Sequence, residues 1–183
     1  MRRLLTSGGA AITTFVFILS MPGHEASAQR IAPWTSPPPV VVVSPNGAQV
    51  AKVRTAVAFW NRELAALGTS FRLGSVSQIA RGPGGSNYLE SERRPGTIVV
   101  VFSNSGQALG SHAYRRVGNQ GPLVEMRGED SAVLAHELGH TIGLPHSTSV
   151  DSVMHRHGQR MLGLASEDKS RLLAMYSAGR TRQ

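Results

Sequence analysis

At 183 residues with no cysteine, the chain is sized for a single globular domain, and it has neither disulfides nor thiolates to hold its fold or a metal. Its 19 Lys and Arg against 11 Asp and Glu give a net charge of +8. Past the N-terminal segment the basic residues are scattered, with short pairs at Arg93-Arg94 and Arg115-Arg116 and no interleaved aromatics, so the charge reads as a solvated basic surface and not as a specific nucleic-acid site.

The N-terminus has the order of a secretory signal peptide: Arg2 and Arg3, a mostly apolar stretch from Ala10 to Leu19, then Ala26-Ser27-Ala28. Cleavage is expected after Ala28. The apolar stretch is short and broken by threonines, which argues against a spanning helix, and no later segment suits one. The Arg-Arg pair matches twin-arginine export only weakly. The expected location is secreted or periplasmic. Residues 29–45 form a proline-rich arm and first strand, Val40 to Val43. The catalytic domain proper is expected over 46–183.

After Ser44-Pro45-Asn46, Val50, Val53, Val57, Trp60, Leu64 and Leu67 recur at helical spacing, and that amphipathic helix should end near Gly68. Phe71 to Val76 alternates and is expected to be the second strand. Gly82-Pro83-Gly84-Gly85 marks a loop across 80–95. Thr97 to Phe102 is apolar throughout, as expected of a central strand buried on both faces. Weaker strands are predicted near 111–117 and 122–127. A helix should begin around Glu129 to Ser131, and another should run from Ser166 to about Tyr176. Ser166 is the expected N-cap of that last helix, with Glu167 and Asp168 favourable in its first turn.

Residues 136–146 read His-Glu-Leu-Gly-His-Thr-Ile-Gly-Leu-Pro-His. On a helix, His136 and His140 project from one face, and Glu137 stands beside the first of them. Gly143 can end the helix, which lets His146 return as a third donor. Three neutral imidazoles leave a fourth position on zinc open, the mark of catalytic and not structural sites. The surrounding run (Ala132, Val133, Leu134, Ala135, Leu138, Ile142, Leu144) is apolar, where polar groups without partners are costly and a metal would satisfy three at once.

This extended pattern resembles the metzincin zinc metalloproteases, in which a Met-turn lies beneath the metal; Met154 in Asp151-Ser152-Val153-Met154-His155 is the candidate. Ser147 after the third histidine is similar to the matrixin subfamily, as is the tail from Leu164-Ala165-Ser166-Glu167-Asp168-Lys169 through Leu172, Leu173, Met175 and Tyr176. The resemblance is sharp from about 129 to 177 and architectural before that. It implies an α+β catalytic domain: a mixed, mostly parallel twisted sheet, an active-site helix, a Met-turn and a C-terminal helix. It implies one catalytic Zn2+ on His136, His140 and His146, Glu137 as the catalytic acid–base, and Met154 as an apolar floor. It also makes Leu109 to Tyr114 similar to the edge strand that pairs with an extended protein or peptide substrate, through Gly110, Ser111, His112 and Ala113. His155 to Gly163 is similar to the wall of the pocket for the residue after the cut.

The chain departs from the resemblance in its accessory sites. With only Asp130, Asp151 and Asp168 as aspartates, calcium sites are not expected, and His112 lacks nearby partners for a structural zinc. A cysteine-dependent latency switch is impossible, so latency would fall to the 29–45 arm or a separate inhibitor. His155 and His157 read as pocket or surface residues. The expected protein is a monomer cutting peptide bonds. The alternatives are a zinc amidase for cell-wall peptide cross-links and a non-proteolytic zinc-binding adhesion module.

Overall fold

The computed structural model describes residues 32–43, 46–80, 93–102, 112–114 (backbone), 120–128, 130–157 and 163–177. The proposed signal segment, Gly110 and Ser111 lie outside them. Five strands form one sheet: β1 Val40–Val43, β2 Val76–Ile79, β3 Ile98–Phe102, β4 His112–Tyr114 and β5 Leu123–Met126. Their order is β2-β1-β3-β5-β4, with four strands parallel and β4 antiparallel to β5 at the edge. Three helices complete the fold: α1 Gly47–Ala66, α2 Ser131–Thr141 and α3 Ser166–Tyr176. This is the mixed, mostly parallel α+β arrangement expected, and β3 is the central strand.

Alternation along the strands divides the buried residues between two faces. Val40, Val42, Ile98, Val100, Val124 and Met126 join the main core with the helices, while Val43, Val99, Val101 and Leu123 cluster on the other side. The β-branched run Val40 to Val43 is therefore a strand buried on both faces, as parallel strands usually are.

Helix α1 begins at a reciprocal cap. Asn46 Oδ1 accepts from Gln49 N at 2.8 Å, and Gln49 Oε1 accepts from Asn46 N at 3.0 Å, satisfying two amides that a helix start leaves open. Val50, Val53, Val57, Trp60 and Leu64 are all buried, and the chain turns at Gly68 with φ +71°. Among the described residues, no helix is long and apolar enough to cross a membrane.

The second strand is not where alternation placed it. Phe71 and Leu73 are buried, but pairing with β1 starts at Val76. Asn61 on α1 replaces a ladder at Leu73: its Oδ1 accepts from Leu73 N at 2.8 Å and its Nδ2 donates to Leu73 O at 3.0 Å. Phe71 stacks on Tyr176 of α3, centroids 4.0 Å apart. Alternation here reports burial under two helices and not a pleated strand. The last helix corrects another expectation. Ala165 takes the cap position and Ser166 is already helical, while the Asp168 carboxylate turns back to accept Ala165 N at 3.0 Å.

Candidate active site

Helix α2 carries two of the candidate donors and is held from several directions. Asp130 caps it, its Oδ1 accepting from Ala132 N at 2.7 Å. At the other end the last carbonyls have no intrahelical partner. Trp34 Nε1 donates to Thr141 O at 2.9 Å, and the Tyr176 hydroxyl donates to Ile142 O at 2.9 Å. Burial pushes Tyr176 up to about 12, so it remains a protonated donor at neutral pH. Trp60 of α1 donates to Ala135 O at 2.8 Å, one residue before His136. Two indoles and a phenol thus fix the axial position of the helix. Trp34, inside the proline-rich arm, belongs to no periodic pattern that would have marked it.

The helix ends in a reversal that the sequence places at Gly143, where φ is +105° and a β-carbon would meet Met175 Sδ at 2.8 Å. Leu144 N then donates back to Gly139 O at 3.1 Å, and the chain brings His146 to the helix face. The rings of His136, His140 and His146 lie with centroids 4.7, 5.2 and 4.9 Å apart. Their donor nitrogens all fall within 4.8 Å of one another. His136 is buried, His140 half-buried and His146 exposed, so the cluster opens toward solvent on the His146 side.

Two backbone carbonyls decide which nitrogens are available. His136 Nδ1 lies 2.8 Å from Val153 O, and His140 Nδ1 lies 2.7 Å from Leu144 O. A carbonyl can only accept, so both Nδ1 atoms carry the proton and both Nε2 atoms present lone pairs. Those two Nε2 atoms are 3.2 Å apart. Lone pairs that converge at this distance repel unless a cation lies between them. Two nitrogens bound at zinc–nitrogen distance in a tetrahedral site would be about 3.3 Å apart, so the donor set fits zinc. Burial lowers the pKa of His136, opposed by its bond to Val153. Partial burial, then the neighbouring His136, Arg156, His157 and His155, lowers that of His146. Both are thereby kept neutral, the form that binds metal. Glu137 is 6 % exposed, on the buried side of α2 next to His136.

The expected Met-turn lies beneath. Met154 is fully buried, and Ser147 N donates to Met154 O at 2.8 Å, which ties the turn to the residue after His146. Met154 Sδ sits 2.2 Å from where a β-carbon of residue 139 would be, so the thioether lies against the bare backbone between the two helical histidines. Ser152 Oγ accepts from Met154 N at 2.9 Å and donates to the buried Asp168 Oδ2 at 2.5 Å. Ser147 Oγ donates to Glu167 Oε1 at 2.5 Å, and Thr148 N donates to the same oxygen at 3.0 Å. The first-turn acids of α3 thus clamp both ends of the segment from third histidine to Met-turn. Their helix-dipole role was legible in sequence, and their partners were not. Nor were the Val153 and Leu144 carbonyls, because a backbone acceptor has no residue signature.

Of the proposed substrate strand, His112 and Ala113 fall in β4, at the sheet edge, in register with Glu125 and Val124 of β5. Helix α2 packs against β4. His155 and His157 stay outside the three-histidine cluster.

The matrixin peptidase family model matches residues 100–177, which include α2, the Met-turn and α3. Among solved structures, the fold is similar to metalloproteinase-II from Bacteroides fragilis, with TM-score 0.55 and 13 % identity over 81 % of this chain. The match spans 57 % of that protein's chain, little more than half its length. No curated protein sequence matches the chain. The family match covers the segment that builds the histidine cluster, so from residue 100 to 177 the chain is similar to the matrixins, and its fold is similar to that of a metalloproteinase.

Proposed function

We propose that this protein is an exported zinc-dependent endopeptidase. The observation that carries the reading is the pair of Nδ1-to-carbonyl hydrogen bonds, which leave the Nε2 atoms of His136 and His140 converging 3.2 Å apart beside His146. The matrixin match over the same segment supports it.

Zinc held by His136, His140 and His146 would supply Lewis acidity, making water a nucleophile near neutral pH and polarising the scissile carbonyl. Glu137 accepts the proton of the attacking water and delivers it to the leaving nitrogen. The carbonyls of Val153 and Leu144 hold the first two rings in orientation and tautomer, and Met154 packs beneath them without chemical participation. A substrate peptide lies extended along the edge strand that includes His112 and Ala113, bound through main-chain hydrogen bonds. Export rests on the charged, apolar and small-residue order of residues 1–28.

The test is digestion of a denatured-protein mixture by the zinc-loaded protein, by the chelated protein and by Glu137→Ala. Activity should disappear with chelator. In Glu137→Ala it should fall by roughly 10²–10⁴-fold while zinc content and fold are kept. Full activity in that variant would remove Glu137 from the chemistry. A cell-wall preparation digested in parallel and cut in place of protein would redirect the reading to an amidase.

A further inference from the structure

Chain segment 155–157 leaves the Met-turn as His-Arg-His and runs beside the third metal-ligating histidine. An isolated parallel bridge joins His155 to Ser147, so this segment lies beside the residue that follows His146. His155 is half-buried, while Arg156 and His157 are exposed. The His155 and His157 rings meet edge to face across a turn, with centroids 5.9 Å apart. Arg156, His157 and His155 all lie close enough to bear electrostatically on His146.

Glu167 accepts from Ser147 and Thr148, and Asp168 from Ser152 and Ala165, so the hydrogen bonds of both carboxylates are directed at the turn and not at Arg156. Among the described residues, no carboxylate lies within ion-pair distance of Arg156. A permanent positive charge with imidazole donors on either side therefore stands exposed beside the opening of the histidine cluster. A guanidinium in that position is suited to a carboxylate, with which it forms two parallel hydrogen bonds.

We propose that His155-Arg156-His157 is a cationic wall that selects peptide substrates bearing a carboxylate side chain close to the scissile bond, with Arg156 supplying the charge. This rests on the peptidase reading and names its substrate class. Arg156 is a specificity residue here and takes no part in bond cleavage.

The experiment uses the zinc-loaded protein and pairs of quenched fluorescent peptides, identical except for Glu or Gln at each of the positions flanking the cut. At one position the Glu peptide should be cleaved with kcat/KM roughly tenfold above its Gln partner, the size expected of one charge-assisted contact. Arg156→Gln should remove most of that ratio. Arg54→Gln, which deletes an exposed charge on α1, should leave the ratio as it is. A second readout needs no turnover: anisotropy of the same labelled peptides with Glu137→Ala should show the same Glu preference in Kd, lost on adding Arg156→Gln. Equal Glu and Gln values at every position, or a ratio indifferent to Arg156→Gln but lowered by Arg54→Gln, overturns the wall. If no peptide is cut, the peptidase reading fails, and the anisotropy ratio still decides whether the wall selects carboxylates.

Discussion

Met154 lays its thioether where a side chain at Gly139 would have to begin, with Sδ only 2.2 Å from that β-carbon position. Trp60 Cζ2 stands 2.7 Å from the same point. Gly139 lies between Glu137 and His140 on α2, so the contact sets how closely the Met-turn approaches the helix that bears the ligands. The glycine in the motif is thus a packing requirement and not a hinge. It also links the carbonyl of Val153, next in chain to Met154, to the ring of His136 that it orients.

Gly139→Ala should therefore displace Met154 and Trp60, at a cost of about 1–3 kcal/mol from overpacking. Zinc affinity should fall with it, because Val153 O would no longer meet His136 Nδ1 in register. Urea unfolding of the metal-free protein and zinc titration by a competing chelator measure the two effects. A variant with unchanged stability and affinity would show that the two elements are not in contact.

Asp168→Ala should destabilise by roughly 2–4 kcal/mol, since it strands Ser152 Oγ and the Ala165 amide, both bonded to one buried carboxylate oxygen. Asp168→Asn keeps an acceptor of the same shape and should cost distinctly less. Chemical denaturation of both variants gives the comparison, and equal losses would mean that shape, not hydrogen bonding, is what Asp168 supplies.

Trp34→Phe removes the donor to Thr141 O while keeping a large ring in the core, and should cost about 1 kcal/mol. Trp34→Ala opens a cavity as well and should cost about 3–5 kcal/mol. If instead the Ala variant unfolds at the same denaturant concentration as the parent, the arm is not docked under α2 in solution.

Stability and metal retention should both depend on pH through His136 and His146. Their folded-state pKa values are lowered, chiefly by burial, below the ordinary value of about 6.5. The unfolded chain therefore takes up protons first as pH falls through about 6.5, and the metal-free fold loses stability from there down to the lowered values, then levels off. Zinc competes with the same protons, so retention should fall over that range too. Thermal melts from pH 8 to 5, with and without zinc, test this. Zinc should raise Tm most at high pH, and a Tm gain independent of pH would exclude imidazole ligands.

Much of the site was legible because its signals are local. His136 and His140 share a helix face by the 3.6-residue period, Gly143 marks the reversal, and Val40 to Val43 and Thr97 to Phe102 carry the burial of parallel strands in their composition. Periodicity misled at Phe71 to Val76, where two apolar residues alternate beneath helices while Asn61 bonds the backbone at Leu73. Cap preference misled at Ser166, because Ala165 takes the cap position and a carboxylate three residues on serves its amide.

Residue identity and spacing within a few turns of chain are enough to say which side chains could bind a metal and that two of them share one face. Tertiary structure alone decided that Val153 and Leu144 fix the imidazole tautomers, that Trp34 and Tyr176 complete the end of α2, and that Glu167 and Asp168 clamp the Met-turn. Those choices rest on backbone carbonyls, which every residue possesses, and on partners brought together only by burial of a shared core. Position in space, and not residue type, makes them part of the site.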